Sequence, residues 1–339
     1  MDTSAPARPA DSDVVPIGEV FGWQADYCRK SGAPLAAAIC EAVVADVGVN
    51  GPLASLLPSE SRFGDLLALR VMAVVHRLAL ERRVPLVAMH VPTLGGTVPP
   101  DSAVLRQWQC NVVEALAAHP DAVVAGLART PQTNEPGRAA VLRAALTRLD
   151  SSRPVRLREI GASAGLNLRA DLLPGVPRLE RGPIPPIADR VGCDLAPIDP
   201  TSHEGRLLLT SFVWVDHVDR FERLRHALAV AATTPAEVVH CEAADFVDDL
   251  ELADGFTTVL WHSALWSYLA ESEQQRLLKR IEQLGAQATS VRQFVHVSWE
   301  WPAAGTDEFV GTMRMWNGDE RGHPIVFMRG WSHGDHLRE

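Results

Sequence analysis

The segment that most constrains the fold is Glu159-Ile160-Gly161-Ala162-Ser163-Ala164-Gly165, which begins at the end of a short strand-like run at 155–160 and contains two glycines. Glycines at the end of a strand let the backbone approach a ligand closely, and a helix that begins at such a turn supplies unpaired N–H groups. A strand, a glycine-rich turn and a helix in this order are typical of the parallel sheets that bind nucleosides. The segment therefore predicts a parallel α/β sheet with a ligand at this turn.

After residue 150, runs typical of strands alternate with helical patterns. The predicted strands are 155–160, 191–195, 238–241, 257–262, 294–299, 309–316 and 324–329, and the predicted helices are 206–231 and 271–284. Alternation of this kind indicates parallel strands joined by right-handed crossovers. The last two strands flank Asn317-Gly318, which favours a hairpin. We expect a Rossmann-like α/β domain at 151–339, with a mostly parallel, methyltransferase-type sheet and a terminal β-hairpin.

The part of the chain before residue 150 shows helical spacing of apolar residues instead. The predicted helices are 21–47, 65–81, 102–118, 121–128 and 138–149, with a Pro/Gly loop at 91–100. An all-α N-terminal domain is therefore expected at 17–150. Residues 1–16 are polar and rich in Pro and Ala, so we expect a disordered lead there.

Composition excludes several classes of protein. A net charge of −10 argues against a nucleic-acid partner, because binding to phosphates needs a basic face. No apolar run approaches the roughly 20 residues of a membrane helix, and no signal peptide is evident, so a cytoplasmic location is expected. The five cysteines form no CxxC pair, and His333 and His336 have no third ligand nearby in sequence, so no metal is expected. The expected partner is a small molecule, and the sequence does not indicate an oligomeric state.

Acidic and polar residues follow the predicted strands in a consistent order. Glu159 and Asp194 lie at the ends of the first and second predicted strands and Asp245 follows the third, where a nucleoside cofactor would meet carboxylates. The cofactor that this order predicts is S-adenosylmethionine. The residues expected to bind it are Glu159, Gly161, Ser163, Gly165, Asn167, Asp194 and Asp245.

His262 ends the fourth strand and Glu300 ends the fifth, so both are candidate catalytic bases. A histidine at a strand end is also often structural, and Glu300 is equally consistent with a surface position. The residues expected to bind a polar substrate are Gln132, Asn134, Glu135, Arg138, Trp266 and Tyr268. For 132–138 the alternative is a capped helix start. Together these residues favour a methyltransferase that acts on a small polar molecule.

Two alternatives remain open. Gly161-Ala-Ser163-Ala-Gly165 also satisfies G-x-S-x-G, the nucleophile turn of serine hydrolases, with Gly95-Gly96 as an oxyanion loop and His333 or His336 as the base. The helical start of the chain and the terminal hairpin argue against that fold. The other alternative is a non-catalytic Rossmann-like module that binds a nucleotide or a partner. Its basis is that Ala162, Ser163 and Ala164 place Cβ atoms where a cofactor would contact the backbone.

Four motifs carry a family resemblance, namely Gln132-Thr-Asn-Glu-Pro-Gly-Arg138, Glu159-Ile-Gly-Ala-Ser-Ala-Gly-Leu-Asn-Leu168, Gly192-Cys-Asp-Leu-Ala-Pro-Ile-Asp199 and Trp261-His-Ser-Ala-Leu-Trp-Ser-Tyr-Leu269. They resemble a bacterial family known as domain of unknown function 2332. Similarity at 69–70, 76–78 and 92–96 extends the resemblance over nearly the whole chain. Val215 departs from it, because the family tends to carry proline there, and 169–190 is shorter than in relatives. The resemblance implies no particular activity.

Overall fold

A computed structural model gives the fold, and it describes residues 12–176, 179, 182–302 and 308–339. Its strands are β1 Val14–Pro16, β2 Glu60–Arg62, β3 Val155–Ile160, β4 Ile187–Asp194, β5 Glu237–His240, β6 Thr257–Ser263, β7 Gln293–Glu300, β8 Phe309–Trp316 and β9 Ile325–Gly330. Its α-helices are α1 Ile17–Lys30, α2 Pro34–Gly48, α3 Leu67–Leu80, α4 Pro85–Ala88, α5 Ser102–Ala117, α6 Pro120–Leu127, α7 Ala139–Leu146, α8 His203–Ser211, α9 Val218–Ala231, α10 Ala243–Asp248 and α11 Glu271–Gln287. No helix within these described residues is long and apolar enough to cross a membrane.

The chain divides into two compact units. The first runs to Thr133 and also includes Arg206–Glu222, and the second contains Asn134–Gly205 and Arg223–Glu339. The predicted domain boundary at 150/151 stays a prediction, because units defined by packing need not coincide with domains that fold independently.

The first unit is mostly helical. The single helix predicted over 21–47 is two helices, because Gly32 adopts a left-handed conformation (φ 73°) and Pro34 begins α2. A two-stranded sheet of β1 and β2 accompanies the helices. Residues 1–11 of the predicted disordered lead lie outside the described residues. Its last three residues, 14–16, were placed in that lead wrongly, since they form β1.

The second unit is built on a mostly parallel sheet of seven strands in the order β5-β4-β3-β6-β7-β8-β9. Strands β3 to β7 are parallel to one another, and the β8–β9 hairpin is added antiparallel to β7. The predicted strands agree with the observed ones to within a few residues. From β3, the chain adds β4 and β5 on one side of the sheet and then β6 and β7 on the other side, so the direction of strand addition changes between β3 and β6. The carboxyl ends of these two strands therefore flank the crevice in which open α/β sheets bind ligands.

Helix α11 covers one face of this sheet. Leu277, Ile281 and Leu284 of α11 share a buried cluster with Phe294 of β7 and Trp316 of β8. Because side chains alternate along a strand, residues of β7 that are an even number of positions from Phe294 point to the same face as α11.

The α-helix predicted directly after the glycine-rich turn is wrong. Among the described residues between β3 and β4, the only helical segment is a 3-10 helix, Asn167–Leu172, and Arg169 within it is non-helical. Arg169 is buried and donates hydrogen bonds to the carbonyls of Gly165 and Thr234 (2.7 Å each). Side-chain hydrogen bonds to one nearby and one distant carbonyl thus anchor this segment in place of a regular helical ladder. The helix predicted over 206–231 is likewise divided into α8 and α9, and α10 was not predicted.

Candidate functional site

Three of the sequence motifs meet at the carboxyl ends of β3 and β6. The Asn134 side-chain oxygen accepts a hydrogen bond from the Leu166 N–H (2.8 Å). Arg138 donates from Nη1 to the carbonyl of Ser263 (3.3 Å), the last residue of β6. The motif at 132–138 therefore binds backbone atoms both directly after the glycine-rich turn and at the end of β6.

The same region concentrates backbone strain. Among the described residues of the second unit, four non-glycine residues have a left-handed φ, and three of them, Asn134 (34°), Ser163 (52°) and Ala264 (50°), lie in these motifs. Each such residue costs of order 1 kcal/mol, and strain of this kind concentrates where a protein holds groups for function.

The glycines of the turn face protein side chains. Gly161 and Gly165 both have a positive φ (69° and 65°). A Cβ at Gly161 would lie 2.8 Å from Cδ1 of Leu265, and one at Gly165 would lie 2.9 Å from Cγ2 of Val238. The left-handed φ favours glycine at both positions, and Leu265 and Val238 leave little room there for a side chain.

Three polar side chains surround the turn. Asp194, which ends β4, accepts hydrogen bonds from the backbone N–H groups of Ser163 (2.8 Å) and Ala196 (2.9 Å). Glu159 and Asn167 are almost fully buried, and their Oε2 and Oδ1 atoms have no hydrogen-bond partner. Burial raises the pKa of Glu159 well above its ordinary value, against the opposing effects of the Trp261 side chain and of nearby arginine charges. A buried acceptor without a partner is costly, so Glu159 and Asn167 are the residues here that most need a further partner.

The structure brings His262 and Glu300 into direct contact. Nδ1 of His262 lies 2.7 Å from Oε1 of Glu300. The Glu300 carboxylate also accepts hydrogen bonds from the backbone N–H groups of Leu265 (3.0 Å) and Trp266 (3.3 Å). Left-handed Ala264 turns the chain so that both N–H groups face this carboxylate.

One buried residue of this cluster was missed by the sequence analysis. Nε2 of His296, on β7, lies 3.0 Å from Nε2 of His262. Both ring nitrogens of His262 therefore have protein partners. Glu300, whose side chain is 16 % exposed against 2 % for His262, is the better placed of the two for contact with a ligand. The only sequence signal for His296 is a polar residue inside the apolar strand Phe294–Trp299.

The remaining candidates lie in different surroundings. Asp245 is about half exposed and pairs with Arg276 (2.7 Å), and Tyr268 is 64 % exposed. Glu135 is buried and accepts a hydrogen bond from the Gly137 N–H (3.1 Å). Gln132 belongs to the first unit.

The residues of the hydrolase alternative are divided between the two units. Gly95 and Gly96 lie in the first unit, whereas Ser163 lies in the second. The ring of His336 packs against Trp331, with 4.5 Å between the ring centroids. The described residues contain no group of three or more His, Cys, Asp or Glu side chains placed to hold a metal ion.

Fold and site together define a mixed α/β protein with a strained polar cluster at the carboxyl edge of a mostly parallel sheet. The chain belongs to the family described as an uncharacterized protein conserved in bacteria (DUF2332), whose model matches residues 18–174 and 172–339. Neither the curated proteins nor the solved structures give a significant match.

Proposed function

We propose that this chain is a methyltransferase-like enzyme with a Rossmann-like domain that uses S-adenosylmethionine and acts on a small polar molecule. The observation that carries this proposal is the convergence of three strained motifs at the carboxyl ends of β3 and β6, where open α/β sheets bind their ligands. The order of the five parallel strands and the antiparallel hairpin beside them support the methyltransferase type. This part of the proposal is an analogy of fold.

At the turn, the polar side chains are better placed to bind such a cofactor than the backbone of the two glycines is. Glu159 and Asn167 offer buried acceptors that lack partners, and Asp194 ends the neighbouring strand. Against this, the space in front of Gly161 is filled by Leu265 and that in front of Gly165 by Val238. Glu159, Asn167 and Asp194 are therefore the residues that would hold the cofactor, and the glycines serve the packing of the turn.

The cofactor, when bound, supplies an electrophilic methyl group. The chain must then place the nucleophile in line and accept a proton if the nucleophile loses one. We assign the proton-accepting role to Glu300, because its carboxylate is fixed by the Leu265 and Trp266 N–H groups and is partly exposed. His262 orients that carboxylate through Nδ1.

Calorimetric titration of the purified chain with S-adenosylmethionine and S-adenosylhomocysteine tests this proposal. We expect saturable heat with the wild-type chain, and an affinity roughly ten- to a hundredfold lower in Glu159→Gln, because an NH2 group, which only donates, replaces one of the two buried carboxyl oxygens. Asp254→Asn is the matched control, since Asp254 is 74 % exposed and should not affect binding. The absence of heat at high micromolar ligand in the wild-type chain would exclude the methyltransferase.

A second candidate is a non-catalytic module that binds a nucleotide or a partner. The observation in its favour is that Leu265 and Val238 already occupy the spaces in front of the two glycines. Binding of ATP or NAD in place of S-adenosylmethionine, in the same titration, favours this candidate.

For the serine hydrolase, the favourable observation is the left-handed φ of Ser163 at the end of a strand. Labelling of Ser163 by a fluorophosphonate would favour the hydrolase over both other candidates.

A further inference from the structure

Two histidines face each other inside the sheet of the second unit. His262 and His296 are 2 % and 7 % exposed, and their rings stack with centroids 5.1 Å apart and planes inclined by 25°. His262 pairs with Ser298 in the register of β6 and β7, so both rings lie on the face that α11 covers. Polar rings buried against an apolar cluster are costly unless their nitrogens have suitable partners.

Only one hydrogen can lie between the facing Nε2 atoms of His262 and His296. At 3.0 Å between the two Nε2 atoms, two N–H groups would repel each other and two lone pairs would form no bond. Nδ1 of His262 carries a hydrogen, because its partner is a carboxylate oxygen of Glu300. With both rings neutral, His296 must therefore donate from Nε2 to His262. With His262 positively charged, His262 donates, and His296 must carry its hydrogen on Nδ1.

The surroundings of the two rings differ in charge. His262 has the Glu300 carboxylate at 2.7 Å and the ring of Trp266 stacked at 5.4 Å, and both stabilise a cation. His296 lies opposite Arg314 of β8 in the sheet register, and Arg314 in turn pairs with Glu282 of α11. Burial, together with the positive charges of His262 and Arg314, lowers the pKa of His296 well below its ordinary value.

We infer that His296 is a positioning residue for the contact between His262 and Glu300: the two imidazoles share one hydrogen, and any positive charge that they take up resides on His262. Glu300 then faces an imidazolium when the pair carries a positive charge, and it faces a neutral ring that donates from Nδ1 when the pair carries none. This inference does not depend on methyl transfer, because it concerns only the positions of hydrogens on the side chains of His262, His296 and Glu300.

Long-range ¹H–¹⁵N NMR of the full chain measures the protonation of each imidazole nitrogen directly. Above the pH at which the pair takes up a proton, we expect His262 with hydrogen on Nδ1 and His296 with hydrogen on Nε2. On acidification, His262 should become an imidazolium, and the hydrogen of His296 should move from Nε2 to Nδ1 at the same midpoint. A His296 that becomes charged itself, or one that keeps the same tautomer throughout, would overturn the inference.

Variants separate positioning from a merely structural role. His296→Leu removes the acceptor that the charged form of His262 needs, so the proton affinity of His262 should fall roughly three- to tenfold. His296→Gln retains an acceptor and should restore most of that affinity, and it also guards against a His296→Leu chain that fails to fold. His76→Leu, which removes a buried histidine of the first unit, is the matched control and should leave His262 unchanged. If His296→Leu lowers the melting temperature and leaves the titration of His262 unchanged, His296 is structural only.

Discussion

A single buried histidine makes the stability of the first unit depend on pH. His76 is 1 % exposed, donates from Nδ1 to the carbonyl of Val213 (2.8 Å) and accepts at Nε2 from the hydroxyl of Thr93 (3.0 Å). Burial lowers the pKa of His76 to about 4. The folded chain therefore holds this ring neutral at pH values where the unfolded chain already protonates it.

The unfolded chain binds more protons than the folded chain between pH 6.5 and about 4, so acidification through this window favours unfolding. We expect the unfolding free energy of the first unit to fall by about 2 kcal/mol from pH 7 to pH 5 because of this one residue. Urea unfolding at the two pH values measures the effect. In His76→Leu this part of the pH dependence should disappear, and an unchanged pH dependence in that variant would assign it to other groups.

At the level of single residues, sequence could identify candidates for the site but not their partners. His262 and Glu300 were chosen because each ends a strand at the edge where ligands bind, and the structure places them 2.7 Å apart. His296 lies in the middle of an apolar strand, and only the register of β6 and β7 brings it to His262. Asn134 and Arg138 bind backbone atoms of Leu166 and of Ser263 at the end of β6. A polar cluster in sequence does not distinguish that role from ligand binding, since the same donors and acceptors serve both.

At the level of elements, strands were predicted better than the segments between them. Strands β3 and β8 have the bounds that their sequence patterns predict, because apolar residues recur in each of them at the spacing of a strand. The 3-10 segment Asn167–Leu172 was not predictable, since the contacts of Arg169 with Gly165 and Thr234 fix it. Asp216 also makes a contact that the local sequence does not predict. It accepts hydrogen bonds from the N–H groups of Leu35 and Ala36 at the start of α2, and no local pattern links residues so far apart.

Substitution of alanine for glycine should change the unfolding free energy in opposite directions at two helical positions, Gly285 of α11 and Gly22 of α1. A Cβ at Gly285 would lie 2.4 Å from the ring of Trp316, whereas a Cβ at Gly22 of α1 would meet nothing within 4 Å. Alanine favours a helix over glycine by about 1 kcal/mol, but overpacking costs about 1–3 kcal/mol. Gly285→Ala should therefore lower the unfolding free energy and Gly22→Ala should raise it, as measured by urea unfolding. Stabilisation by Gly285→Ala would show that α11 can move away from Trp316 at little cost.

At the level of the whole molecule, the first unit takes part of its core from a segment distant in sequence. Trp214 and Val215 are buried in the same cluster as the helices of residues 17–127. The same segment supplies Asp216 to α2 and the carbonyl of Val213 to His76. Patterning over 17–150 detects the helices of this unit, but it cannot show that they need residues 206–222 to complete the core.

A fragment of residues 1–150 tests how far this unit depends on the distant segment. We expect the fragment alone to lack a cooperative unfolding transition, because it loses the packing of Trp214 and Val215 and the cap on α2. Addition of a peptide of residues 206–222 should restore the transition and shift the fluorescence of Trp214 to the blue. An Asp216→Ala peptide should bind roughly five- to thirtyfold more weakly, since a lost helix cap costs about 1–2 kcal/mol. If the fragment unfolds cooperatively without the peptide, residues 17–150 form an independent domain, and residues 206–222 only dock onto it.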